Sequence, residues 1–362
     1  MEIYLEVNGV EYRDWGALTV NLATNTVAST FSFSGYRTKE NEKLFAPGII
    51  NNAIVWLDDG NGKKEELLTG LIMNTGLVSQ KNESLETIHG ISKPGILANV
   101  DYPKELYPLQ YSGASLELIC KRIANHYGLK LYIKGAAILE AKKTYESVEC
   151  KPTEKIYNFL VRIAKERGIT VAHDNEGKLM LYKYTNQLKA DVRISDEESM
   201  IKMTLPANQQ VMHNTCMAIS DEGLDVEAGE DSESGEVTKV TVRSPFLYTD
   251  LKLNKTVTMK LEDPTADNLR SYASSELAKE ARNFAISFEK DKWDFNGRIG
   301  RAGFYIDVNA PSLFLKEETK MVLETQTFTK TAKNPQMMTG TCVLPCVYTG
   351  VLPKSSPFKQ IT

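Results

Sequence analysis

The chain has 362 residues, enough for roughly two to four domains and for a core that needs no covalent staples. A net charge of −4 gives no general basic surface and disfavours sequence-independent binding to nucleic acid. Five scattered cysteines, an odd number, do not make a secreted disulfide framework, Met1-Glu2-Ile3-Tyr4-Leu5-Glu6 lacks the sections of a signal peptide, and no apolar window is long enough to span a bilayer. The expectation is a soluble protein with reduced thiols, made in a cytoplasm.

Residues 1–105 read as a β-domain. Ile3, Leu5 and Val7 alternate with polar residues, and Asn8-Gly9 is a strong turn signal before Val10 and Tyr12. Thr30 to Tyr36 alternates again. Asn52 to Leu57 reads as a strand closed by the turn cluster Asp58-Asp59-Gly60-Asn61-Gly62. Leu67 to Leu77 and Ser84 to Ile91 form a hairpin around Gln80-Lys81-Asn82-Glu83. Many short strands with frequent turn residues predict a barrel or sandwich. Pro94, Pro103 and Pro108 mark the exit from it.

The next stretch says the same thing twice. Arg122-Ile123-Ala124 is echoed by Arg162-Ile163-Ala164, and Leu116, Ile119, Cys120 and Ile123 map onto Ile156, Phe159, Leu160 and Ile163. The spacing i, i+3, i+4, i+7 lines one face of a helix. Each helix meets a glycine, Gly128 or Gly168, the residue that most readily takes the left-handed conformation past a helix end. A short apolar run then reads as a strand, Leu129 to Ile133 or Ile169 to Ala172. Pro152 suits the first turn of the second helix. Asp174-Asn175-Glu176-Gly177 turns a hairpin into Lys178 to Tyr182. Two such units packed on their apolar faces predict a compact α/β centre.

From Ile194 onward β-signals return at Met200 to Leu205, Val211 to Ile219, Val237 to Val242 and Thr256 to Leu261. The acidic stretch Asp221 to Glu236 reads as a solvated loop, with a negative surface that repels DNA or meets a basic partner as the sharper alternative. Pro264-Thr265 opens a long helix, Thr265 its N-cap, with Leu269, Ala273, Leu277, Ala281 and Phe284 on one stripe that packs on a sheet. Met321 to Thr329 turns at Lys333-Asn334-Pro335 and returns as Met337 to Val347. That hairpin resembles the earlier one, with Lys-Asn in the turn and a glycine in the return strand (Gly90, Gly340), a hint that the first and last domains are related.

Catalytic signatures are absent. His89, His126, His173 and His213 fall in separate elements with no metal spacing, and each reads as structural. Cys342 and Cys346 have the wrong spacing for a zinc knuckle and read as strand packing around a proline. Gly90 to Lys93 is not a phosphate loop, and no carboxylate pair is held in a helix frame. Arg122 and Arg162 are expected to hold carboxylates or backbone carbonyls. Trp15, Trp56 and Trp293 read as core.

The order of parts resembles a known family. Phe45-Ala46-Pro47-Gly48, the strand through Trp56, Leu68-Thr69-Gly70-Leu71-Ile72 and the strand ending His89-Gly90 resemble the opening barrel of phage baseplate hub proteins. Gln110 to Ile119 resembles their first central helix, Thr153 to Tyr182 their second unit, and the helix after Pro264 and the strand at Gly340-Thr341 fall where such a protein has them. The match is nearest to the hub of Mu-like contractile-tailed phages, related to phage late control protein D. One departure is Ile91-Ser92-Lys93-Pro94-Gly95, where many relatives carry a polar, arginine-containing segment.

The resemblance implies an α+β, mainly β fold. Two related, tail-tube-like split β-barrels, at 1–105 and at 188–262 with 297–362, flank an α/β domain at 106–187, and a helical insertion occupies 263–296. It implies a structural hub of the virion's tail baseplate, assembled in the bacterial host cytoplasm. Three copies would form a ring of six barrels that joins the tail tube protein to the central spike protein. Tape-measure protein and then DNA would pass through its channel, the DNA without specific binding, and no membrane is involved. No catalytic, cofactor-binding or metal-binding residue follows from it. Alternatives are the hub of a tailocin-like contractile injection machine, a tail-associated cell-wall hydrolase, which the absence of an appended section after the second barrel disfavours, and a carbohydrate-binding or adhesin module.

Overall fold

A computed structural model describes residues 1–36, 42, 46, 48–79, 84–185, 189–199, 201–220, 239–247, 255–261 and 266–359. They fall into two compact units. The first holds Met1–Lys183, Phe288–Phe304 and Leu323–Gly340; the second holds Tyr184–Ser287, Tyr305–Val322 and Thr341–Thr362. The fold is mainly β with few helices.

In the first unit the strand Glu2–Val7 buries Ile3, Leu5 and Val7 as their alternation predicts. Asn8 and Gly9 both take positive φ, 53° and 80°, the pair a tight primed turn requires, and Val7 faces Val10 across it. Glu2–Val7 then pairs with Asn51–Asp58, and that strand with Lys64–Ser79. Lys64–Ser79 pairs with Ser84–Ser92, and Ser84–Ser92 with Thr30–Tyr36, all antiparallel. Gln80–Glu83 lies outside the described residues, as do Phe45 and Pro47, but Ser79 faces Ser84 at the hairpin's end. The strand Ala17–Ala23 buries Leu18, Val20 and Leu22 and pairs with Thr30–Tyr36; no strand is expected there from the reading above. Trp15 is buried, but Trp56, expected in the core with it, lies half-buried on the outer face of its strand and donates to Glu6 Oε2 at 2.8 Å.

The repeat folds into two matched helices, α1 (Leu116–His126) and, after the short α2 (Ala137–Lys142), α3 (Ile156–Lys165). All eight repeat positions of the apolar stripes are fully buried in one cluster. The Ser115 hydroxyl caps α1 by accepting from the Leu118 N–H at 3.2 Å. Gly128 and Gly168 end the helices with φ of 64° and 63°. Leu129 N–H returns to Ala124 O at 2.8 Å and Ile169 N–H to Ala164 O at 3.0 Å. An added methyl meets nothing within 4 Å at Gly128 and only the Lys183 side chain at Gly168, so alanine there is a pure backbone perturbation. Gly128→Ala and Gly168→Ala are each expected to cost about 1–2 kcal/mol in urea unfolding, and asparagine less.

One detail differs from expectation and two add to it. The strands Leu131–Lys134 and Thr170–His173 are not neighbours: Leu179–Tyr182 lies between them, antiparallel to the second and parallel to the first. Pro152 sits in a turn, and α3 begins only at Ile156. Gly135 to Cys150, not assigned above, contains α2 and the strand Ser147–Glu149. The two arginines do as expected. Arg122 donates to Tyr107 O at 3.2 Å, while Arg162 donates to Glu149 O at 2.7 Å and grips Glu154 through two nitrogens at 3.0 and 2.8 Å.

In the second unit Thr215–Ser220 is the middle strand between Lys239–Arg243, antiparallel, and Thr256–Leu261, parallel. On this small sheet lies α4 (Ala266–Glu280), whose Leu269, Ala273 and Leu277 pack with Cys216 and Ala218. Ala281 and Phe284 continue the stripe in a 3-10 turn, both buried. Asp221–Glu236, Pro264 and Thr265 lie outside the described residues. Val192–Ser195 pairs parallel with Tyr305–Asn309, which pairs antiparallel with Thr319–Val322. The closing strand ends at Val343, not Val347, because Pro345 opens α5 (Cys346–Thr349), ended by Gly350 at φ 69°.

Candidate functional site

Among the described residues no group of three or more His, Cys, Asp or Glu is placed to hold a metal ion. His89 lies exposed in a strand, His126 exposed at the end of α1 against Tyr127, and His213 against Glu280 Oε1 at 2.6 Å, so the fold does not bring the four histidines together. All five thiols are free and buried. Burial pushes those of Cys150 and Cys216 up to about 11 and that of Cys346 to about 12, which disarms them as nucleophiles.

His173 is the one histidine tied into a network. Its Nδ1 lies 2.8 Å from Asp174 O and its Nε2 2.6 Å from Ser29 Oγ, so Nδ1–H donates to the carbonyl and Nε2 accepts from the hydroxyl. Ser29 N–H in turn donates to Ser92 Oγ at 3.1 Å, and Ser92 N–H to Ser29 O at 2.8 Å. This chain of bonds fastens the Asp174 hairpin to the neighbouring β-strands. Beside it a cleft of about 350 Å³ holds Glu66, Asp174, Glu176 and Arg301. Desolvation raises the carboxyls of Glu66 and Asp174, the kind of perturbation acid catalysts show. Their oxygens are nevertheless occupied: Glu66 accepts from Thr69 Oγ1, and Asp174 Oδ1 from Lys178 N–H at 2.7 Å. The cleft closes a hairpin tip, where Asn175 also donates to Glu66 O at 2.8 Å.

Burial holds the His173 imidazole below its ordinary value. An unfolded chain takes up a proton there below pH of about 6.5 while the folded chain does not, so this contribution to stability is present above that pH and is lost as pH falls through it. Stability measured between pH 7 and 5.5 is expected to fall with a slope of up to about 1.4 kcal/mol per pH unit from this one group, and His173→Gln to flatten it.

The more informative geometry is a duplicated strand layout. One set comprises, in chain order, Glu2–Val7, Ala17–Ala23, Thr30–Tyr36, Asn51–Asp58, Lys64–Ser79 and Ser84–Ser92. The other comprises Val192–Ser195, Ile201–Thr204, Ile286–Lys290, Tyr305–Asn309, Thr319–Lys330 and Met337–Val343. Neighbour to neighbour, both run second, third, sixth, fifth, fourth, first. In both, the glycine of the sixth strand lies against the phenylalanine of the third. A Cβ on Gly90 would stand 2.0 Å from the Phe31 ring, and one on Gly340 2.5 Å from that of Phe288. The sets differ at the first strand, antiparallel to its neighbour in one and parallel in the other. The small sheet and α4 fall between the second and third strands of the later set.

The fifth strands differ in their partners. In Thr319–Lys330, the first part pairs with Tyr305–Val308 and the second part, Thr325–Lys330, with Ala23–Leu18. In Lys64–Ser79, the first part pairs with Asn51–Asp58, but Met73–Ser79 has no strand on that side among the described residues. Met73, Leu77 and Val78 are 42%, 46% and 51% exposed there. Among the described residues Ile201–Thr204, the counterpart of Ala17–Ala23, has one strand neighbour, Ile286–Lys290. A long apolar open edge is a site that natural proteins cover.

The comparisons with known proteins agree with this geometry. Residues 100–183 match the family described as baseplate hub protein gp44-like, second domain. No curated protein sequence matches the chain. The 43 kDa tail protein of prophage MuSo2 from Shewanella oneidensis superimposes with a TM-score of 0.75 at 15% identity, over 96% of this chain and 100% of that one. The tail protein from Neisseria meningitidis MC58 gives 0.74 at 15% identity, over 97% and 99%. The E. coli c3393 protein, described as a component of the type VI secretion system with structural similarity to the T4 tail proteins gp27 and gp5, gives 0.56 at 10% identity, over 98% and 78%. The fold is thus shared with these prophage tail proteins, and the resemblance to baseplate hub proteins holds at residues 100–183.

Proposed function

We propose that the protein is a structural, non-catalytic baseplate hub: three copies close into a ring that presents six similar β-domains, joins a sixfold tail tube to a threefold central spike, and lines the channel for tape-measure protein and DNA. The observation that carries this reading is the duplicated strand order, because a chain with two like halves lets three molecules match a sixfold partner. The two halves stand in for copies of a tail-tube barrel, and the virion baseplate is the proposed location. Light scattering on the purified chain tests it: a mass of three chains, with ring-shaped particles by electron microscopy, is the expected result.

A second reading, the hub of a contractile injection machine, is favoured by the likeness to the type VI secretion component and to a chain of a Francisella PdpA–VgrG complex, at a TM-score of 0.57. Both readings place a spike beneath the ring. The raised carboxyls of Glu66 and Asp174 are the one feature that favours a cell-wall hydrolase. Incubation with purified cell walls is expected to release no soluble fragments.

A further inference from the structure

We propose that a cleft in the second compact unit, between the strand Lys239–Arg243, α4 and the turn after α5, binds a phosphate group in its dianionic, monoester form. The proposal stands apart from the hub reading above. The cleft measures about 480 Å³ and is lined by Thr241, Arg243, Arg270, Ser271 and Ser274. Thr241 and Arg243 lie two apart on a strand, so both side chains leave it on the same side, and both are exposed. Arg270 and Ser274 are about one helical turn apart on α4, with Ser271 beside them. The third wall comes close to the helix: a Cβ on Gly350 would stand 3.2 Å from the Ser275 side chain.

Charge sets this cleft apart. The chain has 47 acidic residues against 43 basic ones, yet among the described residues neither Arg243 nor Arg270 has an ion-pair partner. Two carboxylates of α4 are committed elsewhere: Glu276 pairs with Lys279, and Glu280 with His213 at 2.6 Å. Two guanidinium groups lining one cleft without a counter-ion repel each other, and an anion between them relieves that. Each guanidinium is always charged, and its fork of N–H donors fits phosphate oxygens in pairs. The three hydroxyls supply neutral donors for the remaining oxygens. The two positive charges therefore match the nearly doubly negative monoester at pH 7, whereas a backbone phosphodiester carries a single charge. Val351, 58% exposed at the same cleft, offers apolar surface to the organic part of the ester.

Calorimetric titration of the full chain in phosphate-free buffer tests this. Inorganic phosphate and adenosine monophosphate are expected to bind at millimolar concentration or below, and adenosine not to bind. Arg243→Gln and Arg270→Gln are each expected to weaken adenosine monophosphate about tenfold, in proteins whose circular dichroism matches the unsubstituted chain. Arg270→Lys keeps the charge without the fork and is expected to fall between. Ser274→Ala, which suits a helix, is expected to weaken binding by less and serves where an arginine variant does not fold. Silence toward both phosphate ligands, or full affinity in the substituted proteins, overturns the site. Succinate bound as tightly as phosphate assigns the cleft to the carboxylates of an acidic peptide and overturns the phosphate. An oligonucleotide that binds equally with and without a terminal phosphate overturns the monoester.

Discussion

Gly90→Ala and Gly340→Ala are each expected to lower the unfolding free energy by about 3 kcal/mol, because the added methyl enters an occupied ring. The contact at Gly90 would be 2.0 Å to Phe31 Cζ, and Phe31 is buried. At Gly340 the methyl meets Phe288 at 2.5 Å and Leu323 at 3.0 Å. Gly76→Ala, in the same hairpin with its nearest neighbour at 3.8 Å, is the control and is expected to change stability by less than about 0.5 kcal/mol. The pair Gly90→Ala with Phe31→Leu is expected to recover part of the loss, a coupling that denaturant titration of the four proteins reads directly. If Gly90→Ala proves as mild as Gly76→Ala, the glycine-under-ring feature shared by the two strand sets has no energetic meaning.

The second large effect is expected at Phe159→Ala, about 3–5 kcal/mol by the same titration. Phe159 is fully buried on α3, edge-on to Tyr102 at 6.3 Å between centroids and stacked on Tyr111 at 6.4 Å. The two tyrosines hydrogen-bond to each other, so collapse into the space left behind is restricted. Its repeat counterpart Ile119 is equally buried, and Ile119→Ala is expected to cost about 2–5 kcal/mol. The smaller side chain leaves the smaller void.

The central repeat was legible because one short physical rule governs it. A helical stripe needs apolar residues at fixed spacing and a residue that tolerates positive φ at its end, and both survive as residue types in Leu116–Gly128 and Ile156–Gly168. The relation between the two strand sets was barely legible. A strand needs only an alternating pattern, which many residues satisfy, so Ile201-Lys-Met-Thr and Ala17–Ala23 have only threonine in common though they hold the same place. What did persist, Gly90 and Gly340, persisted because a ring leaves no alternative to glycine. Ala17–Ala23 alternates as well, but the order of neighbours along a sheet is long-range information that no local window holds. The Glu66–Asp174 cleft was invisible for the same reason: residues 108 positions apart meet only once the hairpin folds back, as the Asn175–Glu66 bond across 109 positions does.

Trp293 supplies a built-in optical reporter. Its indole N–H is shared between Thr329 O at 3.3 Å and Met337 O at 3.0 Å, across the mouth of the closing hairpin, and the ring is almost wholly buried. Opening that hairpin would release both carbonyls and wet the ring together. The red edge of its fluorescence therefore follows one hairpin, in a molecule with only two other tryptophans to subtract.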